Sequence, residues 1–393
     1  ATSANSPCGS LYTDRAVTVT PATVAPTFTG GATAICANGT DTYTATTSQG
    51  TVTFSIVGGT GAAITSGGSL TSAGTSNFTV RATSANSPCG SLYTDRAVTI
   101  NTSSTAPASV SGTTTICTGG STTLTTVGGS LGTGAEDVWY EGGCADEAFT
   151  QEWTTQPYAS YSHMGPPSAG NGILTLTSTS NDPMISMSGL GSFDPNTYGY
   201  VSIRYRVTSG IASSCQIFFY NTAYPSANGA QYVNASLISD NAWHIVNIDM
   251  SAHALWTSSN ITGWRYDWAT ADNVTMEIDY ITLADRPIYA EGASITVSPT
   301  ANTTYFTAKK GECNTTGCAS VAVAVNPNAA ITSVTGTSPL CVPAAATYTA
   351  NGVVLGGAAR ASSSSDLHVA TANAPALVTA LAHVTPTGAH PIS

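Results

Sequence analysis

The stretch Ala1–Thr18, ATSANSPCGSLYTDRAVT, returns without a change at Ala82–Thr99, a displacement of 81 positions. A fixed period of this size in a chain rich in Thr, Ser and Gly marks an array of small β-sandwich modules. Short runs then alternate apolar and polar residues: Val52, Phe54 and Ile56; Phe78 and Val80; Val321, Val323 and Val325. Period two sends every second side chain to one face of a strand, and Gly, Pro, Ser and Asn bound each run. The i, i+3, i+4 spacing of a helix is nearly absent, Ala374–Leu381 being the one ambiguous stretch. The expected fold class is all-β.

At 393 residues, 41% of them apolar, the chain has material for two to four packed domains. Only 8% of residues are charged, about a third of the usual share, so solvation rests on Thr, Ser, Asn and Gly. Ten Lys and Arg against 21 Asp and Glu give a net charge of -11, which excludes a basic stripe for phosphates and makes nucleic acid a poor partner. No apolar run approaches the roughly 18 residues of a membrane span. Nine cysteines in such a chain point to an oxidising compartment and a secreted or cell-surface location.

Cysteines phase the repeat. Cys36 in AICANGTDTYTA opens a module and Cys89 lies just before its last strand, 53 residues on. Cys117 in TICTGGSTTLT is the next opener, yet the matching close at Cys318 arrives 201 residues later. Removing 146–287 brings that separation to 59, which identifies a domain inserted in a domain. The expected organisation is a closing strand at 1–20, a module at 21–103, a module split into 104–145 and 288–326, the insert at 146–287, and an opening half-module at 327–393. A surface loop tolerates such an insertion when the ends of the insert lie close together. The expected disulfides are Cys36–Cys89, Cys117–Cys318 and Cys144–Cys313, each worth about 2–4 kcal/mol, against the alternative of free buried thiols. Cys215 reads as a small buried hydrophobe. Cys8 and Cys341 sit in the two half-modules, where an intermolecular bond would join the tail of one copy to the head of the next. The alternative is a chain cut from a longer polypeptide.

The phrase TICTGGSTTLTTVGGSLGTGAEDVWYEGGC, resumed after the insert by EGASITVSPTANTTYFTAKKGECNTTGCASVAVAV, resembles the Ig-like or PKD-like repeats of large secreted bacterial surface adhesins. TYTANGVVLGG at 347–357 resembles the start of another. The resemblance covers about two thirds of the chain and implies a stalk. The insert, in NAWHIVNIDMSAHALWTSSNITGWRYDWATADNVTMEIDYITLAD, resembles carbohydrate-binding jelly rolls. The architecture implied is tandem Ig-like sandwiches carrying an inserted jelly roll, and the partner implied is a glycan.

Sugar recognition needs flat apolar faces for the C–H side of a pyranose and planar hydrogen-bonding groups for its hydroxyls. Trp153, Tyr158, Tyr161, Tyr220, Tyr224 and Trp256 lie in irregular segments of the insert, where loops on a rigid scaffold carry function. In GWRYDW, alternation puts Trp264, Tyr266 and Trp268 on a core face and Arg265 and Asp267 on the other. In SIRYRV, Arg204 and Arg206 alternate outward likewise, so these four form an expected polar face; solvated ion pairs are the alternative.

Resemblance to the jelly rolls also implies a structural calcium, for which Asp146, Glu147 and Asp279 are the acidic positions. No other cofactor is expected. The histidines lack metal-ligand spacing and no C-x-x-C pair occurs, so zinc is disfavoured. A glycosidase would need two carboxylates flanking a cleft. Glu277 and Asp279 instead alternate onto one face of a strand, and no nucleophile elbow or phosphate loop is present. The expected function is therefore non-enzymatic: a segment of a bacterial surface fibre or adhesin whose stalk displays a carbohydrate-binding head. The second reading is a filament subunit assembled head to tail by β-strand complementation between 1–20 and 327–393.

Overall fold

The computed structural model describes residues 14–153, 160–170, 172–226, 229–328 and 332–335, with the backbone pairing of short strands at Thr2–Ser3, Leu11–Tyr12, Ala345–Thr347, Thr349–Asn351, Ala370–Asn373 and Leu377–Ala380. The fold is all-β, as the alternation predicts. Among the described residues the sole helical element is a single 3-10 turn, Trp256–Ser258, and no helix is long and apolar enough to cross a membrane.

Among the described residues three sandwiches form, the third built from chain that lies between the two parts of the second. In the first, a four-stranded sheet has the order Ala34–Cys36, Tyr93–Asn101, Phe78–Ala85, Thr51–Val57. Along Phe78–Ala85 the side chains of Phe78, Val80, Ala82 and Ser84 are buried and their neighbours are not. Phe78, Val80 and Ala82 pack with Tyr43, Phe54, Leu70 and Val98, and fully burying a side chain the size of Val or Phe contributes about 1.5–3 kcal/mol.

The second sandwich draws its strands from two distant parts of the chain. Its larger sheet runs Thr115–Cys117, Ala319–Asn326, Thr303–Gly311, Glu136–Glu141, Ala290–Glu291, and its smaller one Ser109–Ser111, Thr122–Val127, Ser294–Val297. Chain leaves at Glu141 and resumes at Ala290, and Trp139 is the register partner of Ala290. The Trp139 indole N–H donates to Gly292 O at 2.8 Å. Asp146 and Asp285 close the gap beyond, the Asp146 N–H donating to Asp285 Oδ1 at 2.9 Å. Adjacent ends leave little loop entropy to overcome, so the split sandwich closes around its insert.

Strands between Glu147 and Ala284 build the third sandwich. A six-stranded sheet contains Ser168–Gly170, Ile173–Thr177, Thr275–Ala284, Tyr200–Ser209 and His244–Asp249 in that order, with Glu147–Glu152 added beside Thr275–Ala284. A five-stranded sheet runs Ser160–Ser162, Met184–Phe193, Ile261–Asp267, Ser214–Asn221, Tyr232–Ser236. Between them lies the largest core, including Trp153, Ile203, Ile217, Phe219, Trp256, Trp264, Tyr266 and Trp268. Cys215 is buried there, and burial pushes its thiol up to about 12.

The outer face of the six-stranded sheet is docked on the split sandwich. Tyr280 and Ile288 pack with Val138, Tyr140 and Ala308. Around them runs a buried ionic network. Arg204 reaches Asp279 at 2.5 Å, Glu291 at 2.7 Å and Glu136 at 3.4 Å, while Lys310 reaches Glu147 at 2.8 Å and Lys309 reaches Asp137 at 2.8 Å. Burial works against the Arg204 charge, and the Glu136, Glu291 and Asp279 carboxylates outweigh it, so its pKa is raised.

The disulfides differ from the expected pairs. They are Cys36–Cys313 and Cys144–Cys318, and Cys89 and Cys117 are free and exposed. Cys36 is the register partner of Asn101 at one end of the last strand, whereas Cys89 lies in the hairpin turn before Tyr93 at the other. About eight strand residues at ~3.4 Å each, roughly 27 Å, separate the two ends, and a disulfide spans Cα atoms no more than about 7 Å apart. Cys117 and Cys318 fail in the same way, since Cys117 pairs with Asn326 while Cys318 precedes the start of that strand at Ala319. Cys313 goes to the first sandwich and leaves Cys144 to Cys318. Cys8 and Cys341 lie outside the described residues.

The Cys36–Cys313 bond joins the first sandwich to the hairpin turn of the second. Beside it Asn101 donates to Glu312, and Ser104 and Asn314 exchange bonds of 2.8 and 3.1 Å. The two sandwiches therefore meet through a covalent and hydrogen-bonded seam.

Candidate functional site

Docking covers one face of the inserted sandwich, and the outer face of its five-stranded sheet lies on the opposite side. Alternation in SCQIFFYN sends Ile217 and Phe219 into the core and Gln216, Phe218 and Tyr220 outward. Register partners across the sheet share a side. One row therefore holds Tyr232, Phe218, Arg265 and Ser186, the next Asn234, Gln216, Asp267 and Met184, and a third Tyr220, Gly263 and Ser188.

Phe218 and Tyr232 stack with ring centroids 5.1 Å apart, and the Arg265 guanidinium lies 4.9 Å over the Phe218 ring. Arg265 donates through Nε and Nη2 to the two oxygens of Asp267, both at 2.6 Å, with Asp182 at 3.6 Å. A guanidinium held through its Nε–Nη2 edge by two parallel bonds to one carboxylate is fixed in its plane. Burial pushes the Asp267 carboxyl above its usual range, with Arg265 pulling the other way. Gln216 Nε2 donates to Asn234 Oδ1 at 3.0 Å, and the Ser160 and Ser186 hydroxyls are 2.7 Å apart. Tyr220 lies across Gly263, where a Cβ would stand 2.9 Å from the ring and 2.4 Å from Met187 O, so glycine is what lets the ring lie flat there. The face thus combines the half-buried rings of Tyr220 and Tyr232, the buried Phe218 ring against Tyr232 and Arg265, a guanidinium held by a carboxylate, two carboxamides and hydroxyls.

Of the residues expected from sequence, Arg265, Asp267 and Tyr220 come together on this face. Tyr224 lies just past its end, 38% exposed, its N–H held by Asn221 Oδ1 at 2.8 Å. Tyr161 is on the edge strand opposite Ile185 and is 41% exposed. Tyr158 lies outside the described residues. Trp153 and Trp256 require correction, being 0% and 1% exposed in the core. Trp256 packs edge-on against Phe219 at 5.1 Å, and its N–H donates to Tyr198 O at 3.1 Å and Pro195 O at 3.2 Å. The apolar area of an indole outweighs the irregular sequence around it, and the 3-10 turn folds it inward.

Arg204 and Arg206 do not share a face with Arg265 and Asp267. They lie on the other sheet, Arg204 within the docking seam and Arg206 bonded to Glu277, both over the Trp243 ring at 4.6 and 4.8 Å. Phe218, Tyr232, Gln216 and Asn234 were missed by sequence reasoning. The same alternation that exposes Tyr220 places Gln216 and Phe218 beside it, and that was the available signal.

For the calcium positions, Glu147 is bonded to Lys310 and Asp279 to Arg204, while Asp146 accepts from the Tyr198 hydroxyl at 3.2 Å. Among the described residues no group of three or more His, Cys, Asp or Glu converges on a metal position. A cavity of about 20 Å³ between the two sheets, lined by Phe149, Val201, Phe219, Trp256 and Trp264, is apolar and holds a water at most.

No protein-family model matches the chain, and no curated protein sequence matches it. Among solved structures, the chain is similar to a family 29 carbohydrate binding module from Piromyces equi, at 11% identity and a TM-score of 0.25, over 38% of this chain and 92% of that one. It is similar to a family 29 module complexed with cellulohexaose at 8% identity and a TM-score of 0.26, over 39% and 94% of the two chains. Similarity to PfGH50B has 10% identity and a TM-score of 0.28, over 37% of this chain and 24% of that one.

Proposed function

We propose that the outer face of the five-stranded sheet binds an extended glycan and that the flanking sandwiches form the stalk of an extracellular bacterial surface fibre that presents it. The observation that carries the binding reading is the joint placement of the half-buried Tyr232 and Tyr220 with the Arg265–Asp267 fork and the Gln216–Asn234 pair on one sheet face. The Tyr232 and Tyr220 rings supply stacking surface for the C–H side of pyranoses, and the fork and carboxamides supply donors and acceptors spaced by strand geometry for hydroxyls along the chain. An open sheet face suits a polymer that continues past the site at both ends. Two disulfides, one of them across a seam between sandwiches, suit a stalk in an oxidising surrounding.

The test is a glycan array probed with the full chain, followed by titration calorimetry with the oligosaccharide selected. Truncating an aromatic of a recognition surface removes about 1–2 kcal/mol, so Tyr232→Ala is expected to weaken binding about tenfold, and Arg265→Ala by as much or more. Arg206→Ala, on the other sheet, is expected to leave it unchanged. A binder for which both face variants retain full affinity would overturn the assignment.

A further inference from the structure

The first sandwich repeats, on its own four-stranded sheet, the combination of ring and arginine–carboxylate fork that marks the insert. Along Phe78–Ala85 the core takes Phe78, Val80 and Ala82, and alternation turns Thr79, Arg81 and Thr83 to the other side. Register partners extend that side to Thr53 and Ser55 on one flank and to Tyr93 and Asp95 on the other. The Arg81 guanidinium donates through Nε and Nη2 to the two oxygens of Asp95, both at 2.8 Å, and lies 3.8 Å over the Tyr93 ring. Two parallel bonds to one carboxylate fix its plane, so ring, guanidinium and carboxylate stand as one unit. Tyr93 is 56% exposed, whereas Tyr220 and Tyr232 of the insert are half-buried.

The same side of the split sandwich carries the docked insert. Ile100 N–H donates to Asn77 Oδ1 and Val325 N–H to Asn302 Oδ1, both at 2.8 Å, which aligns the last hairpins of the two sandwiches. In that alignment Arg81 and Asp95 are level with Phe306 and Ser320, which are register partners in their turn. Thr53, Ser55 and Thr83 are level with Val138, Tyr140 and Ala308. Val138, Tyr140, Phe306 and Ala308 pack together beneath the insert. Where the split sandwich has an apolar cluster for a protein face, the first sandwich has hydroxyls, a fork and one exposed ring. Burying those hydroxyls under a protein surface would be costly without partners for them. Arg81 and Asp95 are the charged residues on that side of these strands and neutralise each other, which suits an uncharged, hydroxyl-rich ligand.

We infer that the Tyr93–Arg81–Asp95 unit is a second glycan site, for a neutral oligosaccharide. Its ligand class rests on the reading of the insert's sheet face as a glycan site. Arg81 backs one side of the Tyr93 ring, and the exposed surface of the ring takes the C–H side of a pyranose. The N–H groups of Arg81 and the lone pairs of Asp95 that the fork leaves over, with the Ser55 and Thr83 hydroxyls, bond the sugar hydroxyls. With one ring where the insert offers two, this site is expected to bind about tenfold more weakly, the worth of one aromatic anchor.

The experiment screens the full chain against neutral hexasaccharides of glucose, mannose, xylose and N-acetylglucosamine, and titrates the tightest binder by calorimetry. A strong step and a weak step are expected. Tyr232→Ala/Arg265→Ala is expected to weaken the strong step and leave the weak one, and Tyr93→Ala to weaken the weak step about tenfold and leave the strong one. Tyr93→Phe keeps the ring and is expected to keep the weak step. Equal denaturant midpoints show that the variants are folded. Loss of all binding in Tyr232→Ala/Arg265→Ala, or a weak step that Tyr93→Ala does not change, would overturn the inference and leave the insert's face standing. A single step lost in Tyr93→Ala alone would support this site and overturn that face. Binding to none of the panel, or binding that no variant changes, would overturn both.

Discussion

At the scale of single residues, Asp267 is a carboxylate on the candidate face whose titration its surroundings shift. Burial raises its carboxyl while the Arg265 fork opposes the rise. Its protonation would weaken both bonds of the fork that orients the guanidinium, so glycan affinity is expected to hold at neutral pH and fall on acidification. The midpoint should lie above the ordinary aspartate value of about 3.9. Asp267→Asn should flatten that profile, which titration calorimetry across pH would read. The sign of the linkage separates this from unfolding. A carboxyl with a raised folded pKa binds its proton more tightly in the folded state, so protonating Asp267 favours the fold as binding is lost. Alternation made Arg265 and Asp267 legible as outward residues. The same reasoning misplaced Trp153 and Trp256, because a side chain's fate in an irregular segment depends on what packs over it, and local pattern carries no record of that.

Strands show where sequence reading stops. Period two predicted which residues of SIRYRV and GWRYDW turn away from the core, and both patterns hold. It does not say which sheet a strand joins, and the two arginines of one and the Arg–Asp pair of the other end up on opposite faces of the sandwich. Disulfide pairing failed for a related reason: the spacing of Cys36 and Cys89 resembles a module length, while their strands place them at opposite ends of it. The docking seam was also invisible, since Lys310 reads as an exposed lysine yet is 1% exposed, bonded to Glu147 and set 4.8 Å over the Tyr280 ring. Burial raises the Glu147 carboxyl, but Lys310, Thr150 and Thr315 outweigh it and hold it below its usual value. That contribution is therefore fully present above the unfolded pKa of about 4.3 and is lost as pH falls through the lower folded value. Lys310→Ala should destabilise the chain by about 3–5 kcal/mol in denaturant unfolding, by leaving a buried carboxylate unpaired. Lys310→Met with Glu147→Gln should recover most of the loss.

Across the whole molecule, the three sandwiches divide the work by face and by end. An end carries the seam between the first two, Cys36–Cys313. One face of the inserted sandwich is spent on docking to the split sandwich, which fixes the insert to the array and turns its five-stranded sheet outward. The central claim is that this sheet face is where a glycan binds. Backbone hydrogen exchange of the full chain, with and without the oligosaccharide chosen by the array, tests it most directly. The account predicts slowed exchange confined, within the inserted sandwich, to Ser214–Asn221, Tyr232–Ser236, Ile261–Asp267 and the turns beside them. Slowed exchange around Arg206 and Trp243 on the six-stranded sheet, with those strands unaffected, would contradict it.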